Sequence, residues 1–384
     1  MENTTKMHVL VTGSRGFIGK NLITCLRETQ GFLVSEFNRN DRIDQLESLI
    51  KEADAIVHLA GANRPNNILD FELINYKFTA TLCNMVRECG KKIPIIFSSS
   101  SHVSEDTPYG RSKLMAESCL KDLAEDLGNS IFVYRLPNVF GKWCKPNYNS
   151  VVATFCHNIA FGLPIRVDNP DRRLNLVYID HLILEFISAL KSRENGFFIK
   201  EVDTQFSITV GSLAKKIERF KNNINNLALN SIGNALTRAL YATYLSYLSP
   251  SMFSYKILRK SDERGDFVEL LKNVNFGQVS FFTVKPKKIR GGHYHHSKSE
   301  KFIVISGEGR FDFENIRTKE TAIKKVSDKD LRMVYTVPGW AHSITNTGTN
   351  DMIVLVWASE VFDESYPDTF SYSLGNENLV FEST

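Results

Sequence analysis

Val9-Leu10-Val11-Thr12-Gly13-Ser14-Arg15-Gly16-Phe17-Ile18-Gly19 is a β-branched, apolar run that breaks into Gly-x-x-Gly-x-x-Gly and continues in a helical pattern. Glycines at this spacing permit a tight turn and bring backbone N–H groups and a helix N-terminus up to a pyrophosphate. The segment therefore predicts the first strand, phosphate loop and first helix of a dinucleotide site, with Gly13, Arg15, Gly16, Phe17, Ile18 and Gly19 against the cofactor. The second strand, Phe32 to Phe37, ends in Asn38-Arg39. An NAD-selective site places an acidic residue there, whereas an arginine suits a ribose 2′-phosphate, so the cofactor expected is NADPH.

From Met7 to about Ile187, apolar runs alternate with amphipathic stretches. His8 to Val11, Ala55 to Leu59, Ile93 to Phe97 and Ile131 to Tyr134 read as strands, an alternation that predicts a parallel α/β sheet. Phe206 to Leu248 has helical spacing and no strand run. After Pro250 the pattern changes to period-two runs broken by Gly, Pro and Asn, as in Gln278 to Val284, Phe302 to Ser306, Met333 to Val337 and Met352 to Trp357, which predicts an all-β region. The expected division is a dinucleotide-binding α/β domain over residues 1–248, including a helical part, and a β domain over 250–375.

Composition sets limits on this. At 384 residues, the chain is long enough for two cores. With 42% hydrophobic and 23% charged residues and no long apolar run, a soluble protein with no membrane partner is expected. The N-terminus has no basic-then-apolar leader, so the expected compartment is the cytoplasm. The six cysteines, Cys25, Cys83, Cys89, Cys119, Cys144 and Cys156, lie in no ligand or redox spacing, and no disulfide framework is expected. A formal charge of +4, spread along the chain, points to no nucleic-acid partner.

Tyr109-Gly110-Arg111-Ser112-Lys113 opens an amphipathic helix, and the four-residue spacing sets phenol and ammonium on one face. A nearby ammonium favours phenolate, so the Tyr109 pKa is expected to fall towards neutrality and the group to act as the acid. Ahead of it, Ile96-Phe97-Ser98-Ser99-Ser100-Ser101 runs out of a strand into a serine cluster. Ser100, with Ser99 or Ser101 as alternatives, is the expected donor to a substrate carbonyl oxygen.

A glycine loop, a strand-terminal serine and Tyr-x-x-x-Lys in this order resemble the extended short-chain dehydrogenase/reductase family, a Rossmann fold. Leu59-Ala60-Gly61, Asn75 at the start of a helix, and Arg135-Leu136-Pro137-Asn138-Val139-Phe140-Gly141 extend the resemblance. It implies that Leu59, Ala60, Gly61 and Lys113 contact the cofactor, that Asn138 contacts a nucleotide sugar, and that the chain forms homodimers through the helix bearing Tyr109. Family members acting on sugar nucleotides often carry an arginine where this chain has Leu174, so Lys142, Lys145, Arg172 and Arg173 are candidates for the diphosphate. Dehydratases of the family follow their catalytic Thr with Asp-Glu. Here Ser101-His102 stands in that place and disfavours dehydration.

Four of nine histidines, His293, His295, His296 and His342, fall in the last third. His293-Tyr294-His295 sets two imidazoles on one side of a strand, Glu300 follows, and Pro338-Gly339-Trp340-Ala341-His342 supplies a third from a distant strand. This resembles the two motifs of a cupin barrel over about Ser254 to Glu360, and implies a metal site of His293, His295, Glu300 and His342. Zn²⁺ suits that set, and Fe, Mn or Ni would also fit.

A reductase followed by a cupin resembles the bifunctional enzymes of bacterial capsule and O-antigen synthesis. The resemblance implies C3 epimerisation of a UDP-4-keto-6-deoxy-HexNAc in the cupin. NADPH-dependent reduction at C4 would follow, giving UDP-2-acetamido-2,6-dideoxy-L-talose on the route to UDP-N-acetyl-L-fucosamine. His295, His296 and Tyr294 are candidates for the epimerisation base. The alternatives are an NAD-dependent sugar-nucleotide 4-epimerase with an accessory cupin and a non-catalytic redox sensor or scaffold.

Overall fold

The computed structural model describes residues 6–225, 227–228, 233–273 and 275–375. The chain divides into two compact units, Met1–Glu218 with Ile232–Ser249, and Arg219–Ser231 with Pro250–Thr384.

The strands of the first unit are β1 (Met7–Thr12), β2 (Phe32–Phe37), β3 (Ala55–His58), β4 (Ile95–Ser100), β5 (Ile131–Leu136), β6 (Asn138–Phe140), β7 (Arg173–Tyr178), β8 (Phe197–Lys200) and β9 (Phe206–Thr209). Its helices are α1 (Phe17–Glu28), α2 (Ile43–Glu52), the single turn α3 (Leu69–Phe71), α4 (Phe78–Glu88), α5 (Pro108–Leu127), α6 (Val151–Phe161), α7 (Ile179–Leu190), α8 (Val210–Asn225), which from Arg219 on is assigned to the second unit, and α9 (Ala235–Leu245). Six strands form one parallel sheet in the order β2-β1-β3-β4-β5-β8. Both faces are apolar, as a parallel sheet covered on both sides requires. Val9, Val11 and Val57 join Leu22, Leu26, Leu182 and Phe186 in one core layer, while Leu10, Ile56 and Ile95 join Leu46, Leu82, Leu120 and Leu123 in the other.

The expectation of a mostly helical segment with no strand run from Phe206 to Leu248 needs correction at its start. Phe206–Thr209 pairs antiparallel with β7, which also pairs with β6, in a small separate sheet. Only Ile208 of this run is fully buried, and four residues with one core contact leave a weak period-two signal.

The second unit contains β10 (Arg259–Asp262), β11 (Gly265–Asn273), β12 (Gly277–Val284), β13 (Ile289–Tyr294), β14 (Glu300–Ser306), β15 (Glu308–Asn315), β16 (Thr321–Ser327), β17 (Val334–Thr336), β18 (Trp340–Asn346), β19 (Met352–Ala358) and β20 (Phe370–Ser371). Two antiparallel sheets, β10-β11-β12-β19-β14-β17 and β16-β15-β18-β13-β20, enclose a core of Phe282, Phe302, Val304, Phe311, Ile344 and Val354. The architecture is a Rossmann-type α/β domain and an all-β cupin barrel. No described helix is long and apolar enough to cross a membrane.

Candidate functional site

The loop after β1 turns at Gly13, whose φ of +72° is the left-handed region that favours glycine. A Cβ at Gly13 would stand 2.7 Å from the Ala60 amide nitrogen, and one at Gly19 would stand 2.5 Å from the Gly13 carbonyl oxygen. These contacts are with backbone, so the approach of α1 to β1 and of the loop to residues 59–60 exists only because both positions lack side chains. Helix α1 starts without a side-chain cap or an acidic residue in its first turn, leaving its N-terminal amides available to an anion. At the end of β2 the Asn38 amide oxygen accepts from Ser14 Oγ (3.0 Å) and from the Arg15 amide (3.0 Å), tying loop to strand. Arg39 is exposed and forms no ion pair among the described residues.

At the end of β4 Ser99, Ser100 and Ser101 part company. Ser99 Oγ donates to Glu117 Oε1 (2.5 Å), a buried carboxylate that also takes a salt bridge from Arg135 (2.7 Å). Ser100 is buried, accepts from the His102 amide (3.2 Å) and acts on the Tyr109 phenol so as to favour its ionised form. Ser101 is exposed at the start of a single 3-10 turn. Helix α5 is fixed by Thr107, whose hydroxyl accepts from the Gly110 amide (3.0 Å), and by Pro108 in its first turn.

Lys113 is 5% exposed, donates to the Ser98 carbonyl (2.9 Å), and lies over the Phe97 ring. Burial pulls its pKa down to about 8, with Glu117 acting in the opposite sense. The expectation that Lys113 lowers the Tyr109 pKa is not met: burial pushes the phenol up, and the Ser100 hydrogen bond offsets this only in part. The ammonium is committed to Ser98 and Phe97, and desolvation decides the phenol. A phenol held protonated at neutral pH is a proton donor, not a poised base.

In the barrel, β13 carries a bulge between Gly291 and His293, after which His293 stands opposite His342 on β18. His295 follows the end of β13, and Glu300 begins β14. One potential ligand atom from each of His293, His295, Glu300 and His342 lies within 4.8 Å of all the others. His295 Nε2 is 3.1 Å and His342 Nε2 3.5 Å from Glu300 Oε2. His342 is buried; its Nε2 faces Glu300, and among the described residues its Nδ1 has no hydrogen-bond partner. Burial pushes His293 down to about 4, towards the neutral form that ligates metals. Burial would raise Glu300, but the hydrogen bonds and charges of His295 and His342 prevail and hold it ionised, below the usual carboxylate range. Converging, desolvated donors with open lone pairs fit a divalent cation.

The chain is 47% identical, over 96% of its own length and 99% of the relative's, to UDP-2-acetamido-2,6-beta-L-arabino-hexul-4-ose reductase of Pseudomonas aeruginosa. It belongs to this reductase family. Residues 9–197 match the NAD dependent epimerase/dehydratase family, and 260–370 match the Polysaccharide biosynthesis C-terminal domain. The capsular polysaccharide assembling protein CapF from Staphylococcus aureus superposes with a TM-score of 0.89 at 39% identity, covering 96% of this chain and 100% of that one. The dTDP-4-dehydro-6-deoxyglucose reductase of Escherichia coli is 29% identical over 57% of this chain and 83% of its own.

Within this reductase family member, the groups expected to bind the sugar nucleotide are scattered in role. Lys142 is paired with Asp180 (3.0 Å), while Lys145 is exposed above the Tyr148 ring. The exposed Asn138 donates weakly to the Asn175 carbonyl (3.4 Å). Arg172 and Arg173 are exposed, and Leu174 is buried.

One buried residue, His58, escaped sequence reasoning, which reaches Asn75 only as part of the family resemblance, without its contacts. His58, buried at the end of β3, joins the Thr12 hydroxyl (2.7 Å) to the Thr79 hydroxyl (2.9 Å), and burial drives it down to about 3, so it is neutral. Asn75 sits in a π-helical turn, not at a helix start, where it brackets Ala62 by accepting from its amide (2.7 Å) and donating to its carbonyl (3.1 Å). It also donates to Ser112 Oγ (3.0 Å). A Cβ on Gly61 would meet Asn75 Oδ1 at 3.1 Å and Lys113 Nζ at 3.2 Å. A lone His spaced from any motif carries no signal until the fold brings it beside Lys113, and the partners of Asn75 are visible only there.

The candidates for the epimerisation base fare poorly. His295 has both nitrogens engaged, by the Asp368 carbonyl and by Glu300. Tyr294 and His296 pack on Phe370, with Tyr294 on the opposite face of β13 from His293.

Proposed function

We propose that this chain epimerises a UDP-linked 4-keto-6-deoxy-N-acetylhexosamine at C3 in its cupin and reduces the C4 ketone in its Rossmann domain. The product would be UDP-2-acetamido-2,6-dideoxy-L-talose, and the chain would act as a homodimer in the cytoplasm. The observation that carries the reading is the buried Ser100 set against the Tyr109 phenol, with the buried Lys113 one helical turn on and its ammonium beside Gly61. The Pseudomonas relative's name, a hexul-4-ose reductase, supports C4 as the reacting centre.

In this reading Gly13, Arg15, Gly16, Phe17, Ile18 and Gly19 hold the pyrophosphate, and Leu59, Ala60, Gly61 and Lys113 line the rest of the dinucleotide. Arg39, exposed beside Asn38, would meet a ribose 2′-phosphate and so favour NADPH. The nicotinamide, when bound, supplies the hydride to C4. Ser100 orients the carbonyl oxygen and Tyr109 gives it a proton, for which a phenol kept neutral by burial is suited. Asn138, Lys142 and Lys145 would contact the nucleotide sugar. His293, His295, Glu300 and His342 would hold a divalent cation, Zn²⁺ in our reading, which supplies Lewis acidity to the barrel. A C3 proton next to a ketone is acidic because its loss gives an enolate, and this makes epimerisation before reduction chemically coherent.

The test supplies the 4-keto-6-deoxy UDP-sugar with NADPH and follows NADPH absorbance. Steady loss is the expected result, and no loss rejects the reductase assignment. A parallel run with Tyr109→Phe in deuterated water reads the cupin by itself. Epimerisation puts deuterium at C3 although reduction is blocked, and an unlabelled C3 removes the epimerase assignment.

A further inference from the structure

Between His295 and Glu300 the chain leaves β13 and returns as β14, and one residue, Asp368, takes most of the hydrogen bonds of this link. Asp368 Oδ1 accepts from the His296 amide (2.9 Å), and Oδ2 accepts from the Ser297 amide (2.9 Å), the Ser297 hydroxyl (2.9 Å) and the Lys298 amide (2.8 Å). The backbone carbonyl of the same residue accepts from His295 Nδ1 (2.6 Å). Four consecutive residues, 295 to 298, thus address one aspartate some seventy positions later in the chain. Asp368 is 6% exposed and its φ is +38°.

The surrounding strap reinforces the grip. Lys298 is buried, with its ammonium on the Pro367 carbonyl (2.8 Å) and Thr369 Oγ1 (2.9 Å). Just beyond, β20 pairs with β13 so that Ser371 lies opposite His293 and Phe370 opposite Tyr294.

A carbonyl oxygen carries no proton, so the hydrogen in its bond to His295 sits on Nδ1. With Nδ1 kept as the donor to that carbonyl, Nε2, the nitrogen turned to Glu300, is the one that would offer a lone pair to a cation. Free histidine favours neither this orientation nor this tautomer strongly enough to specify a ligand, and a partner on the far nitrogen commonly does so. Three amides converging on one carboxylate keep the Asp368 backbone, and with it the carbonyl, in place.

We propose that Asp368 is the positioning residue of the barrel's donor cluster. Its carbonyl selects the tautomer and direction of His295, and its carboxylate fixes the link between His295 and Glu300. The inference rests on the reading that His293, His295, Glu300 and His342 bind a metal.

The test uses the full chain with Zn²⁺ as probe, in competition with a chromophoric chelator, together with a long-range nitrogen–proton spectrum of His295. Asp368→Gly relieves the positive φ and keeps the carbonyl while removing the carboxylate. Asp368→Asn keeps the shape but turns a donor towards the amides. Both are expected to weaken Zn²⁺ binding by ~10–100-fold. Both should also replace a single Nδ1–H signal with a mixture of tautomers, while NADPH oxidation with an already epimerised ketone stays unchanged. Zn²⁺ affinity within about twofold of the parent with an intact Nδ1–H signal overturns the proposal. Weaker binding with an unaltered His295 signal also overturns it, because the carboxylate would then serve the fold and not the ligand. Should both Asp368 variants fail to fold, Ser297→Ala removes one bond to the same carboxylate, and a partial shift of the His295 signal decides. A parent chain that takes up no Zn²⁺ rejects the metal reading alone, and the tautomer signal of the metal-free chain still judges Asp368.

Discussion

Ser99 Oγ donates to Glu117 Oε1 at 2.5 Å, so the middle serine of β4 is spent on holding α5 to the sheet. Its neighbour Ser100 is left to the Tyr109 hydroxyl. Ser100→Ala is expected to lower kcat by ~10²–10³-fold, as losing one donor to a developing oxyanion does. Ser99→Ala should leave kcat near the parent value and cost about 1 kcal/mol of stability, the worth of one hydrogen bond to a carboxylate that keeps Arg135. Steady-state kinetics with thermal melting separates the two; equal loss of kcat in both would assign the serines wrongly.

Lys113 gives a stability prediction with a definite sign. Its pKa is near 8 in the folded chain and 10.5 when exposed, so between those values the unfolded chain binds more protons and stability rises with pH. Below pH 8 both states are protonated, and the full penalty of burying the ammonium is present. Other groups titrate in this window, so the quantity to measure is the parent's unfolding free energy minus that of Lys113→Met. This difference should rise by ~3 kcal/mol from pH 8 to 10.5. A flat difference contradicts a buried ammonium. The variant should also lose reduction.

Arg39 is the selectivity prediction. Arg39→Ala is expected to raise the KM for NADPH by ~10–100-fold, the worth of a charge-assisted contact to phosphate, with little change in the KM for NADH. An equal effect on both cofactors would make Arg39 a general surface charge.

Removing metal should divide the two activities. After exhaustive chelation, C3 deuterium labelling is expected to vanish and the barrel's melting transition to fall, while reduction of an already epimerised ketone continues. Glu300→Gln should reproduce this, because it removes the anion that faces two imidazoles. Labelling that survives chelation would leave the donor cluster a structural staple.

Legibility followed locality. The glycine loop and the Tyr109–Lys113 spacing could be read because each is a few consecutive residues whose geometry one helix or turn dictates. The barrel donors could be read because two lie in His293-Tyr294-His295 and the third sits in a turn-rich segment. What escaped depends on contacts distant in sequence. Asn75 meets Ser112 across 37 positions and His58 meets Thr12 across 46. The direction of the Tyr109 shift was misread because a charge pair is visible in a sequence, whereas the desolvation that outweighs it belongs to the assembled core. The base candidates Tyr294 and His296 fell to strand alternation and to Phe370, which arrives from the far end of the chain.

The bulge at Gly291 and Gly292 has a consequence for how such barrels diverge. Before it, Arg290 shares a side with Ile344; after it, His293 shares a side with His342. One supernumerary glycine inverts the strand's phase, so the odd-numbered residues turn inwards just where the imidazoles are. Deleting a single codon there would leave every donor in the gene and swing the side chains of β13 to the wrong wall. In this architecture the inheritance of a metal centre is a matter of length as much as of letters, and a relative that preserves all four donors but lacks that glycine should bind no metal.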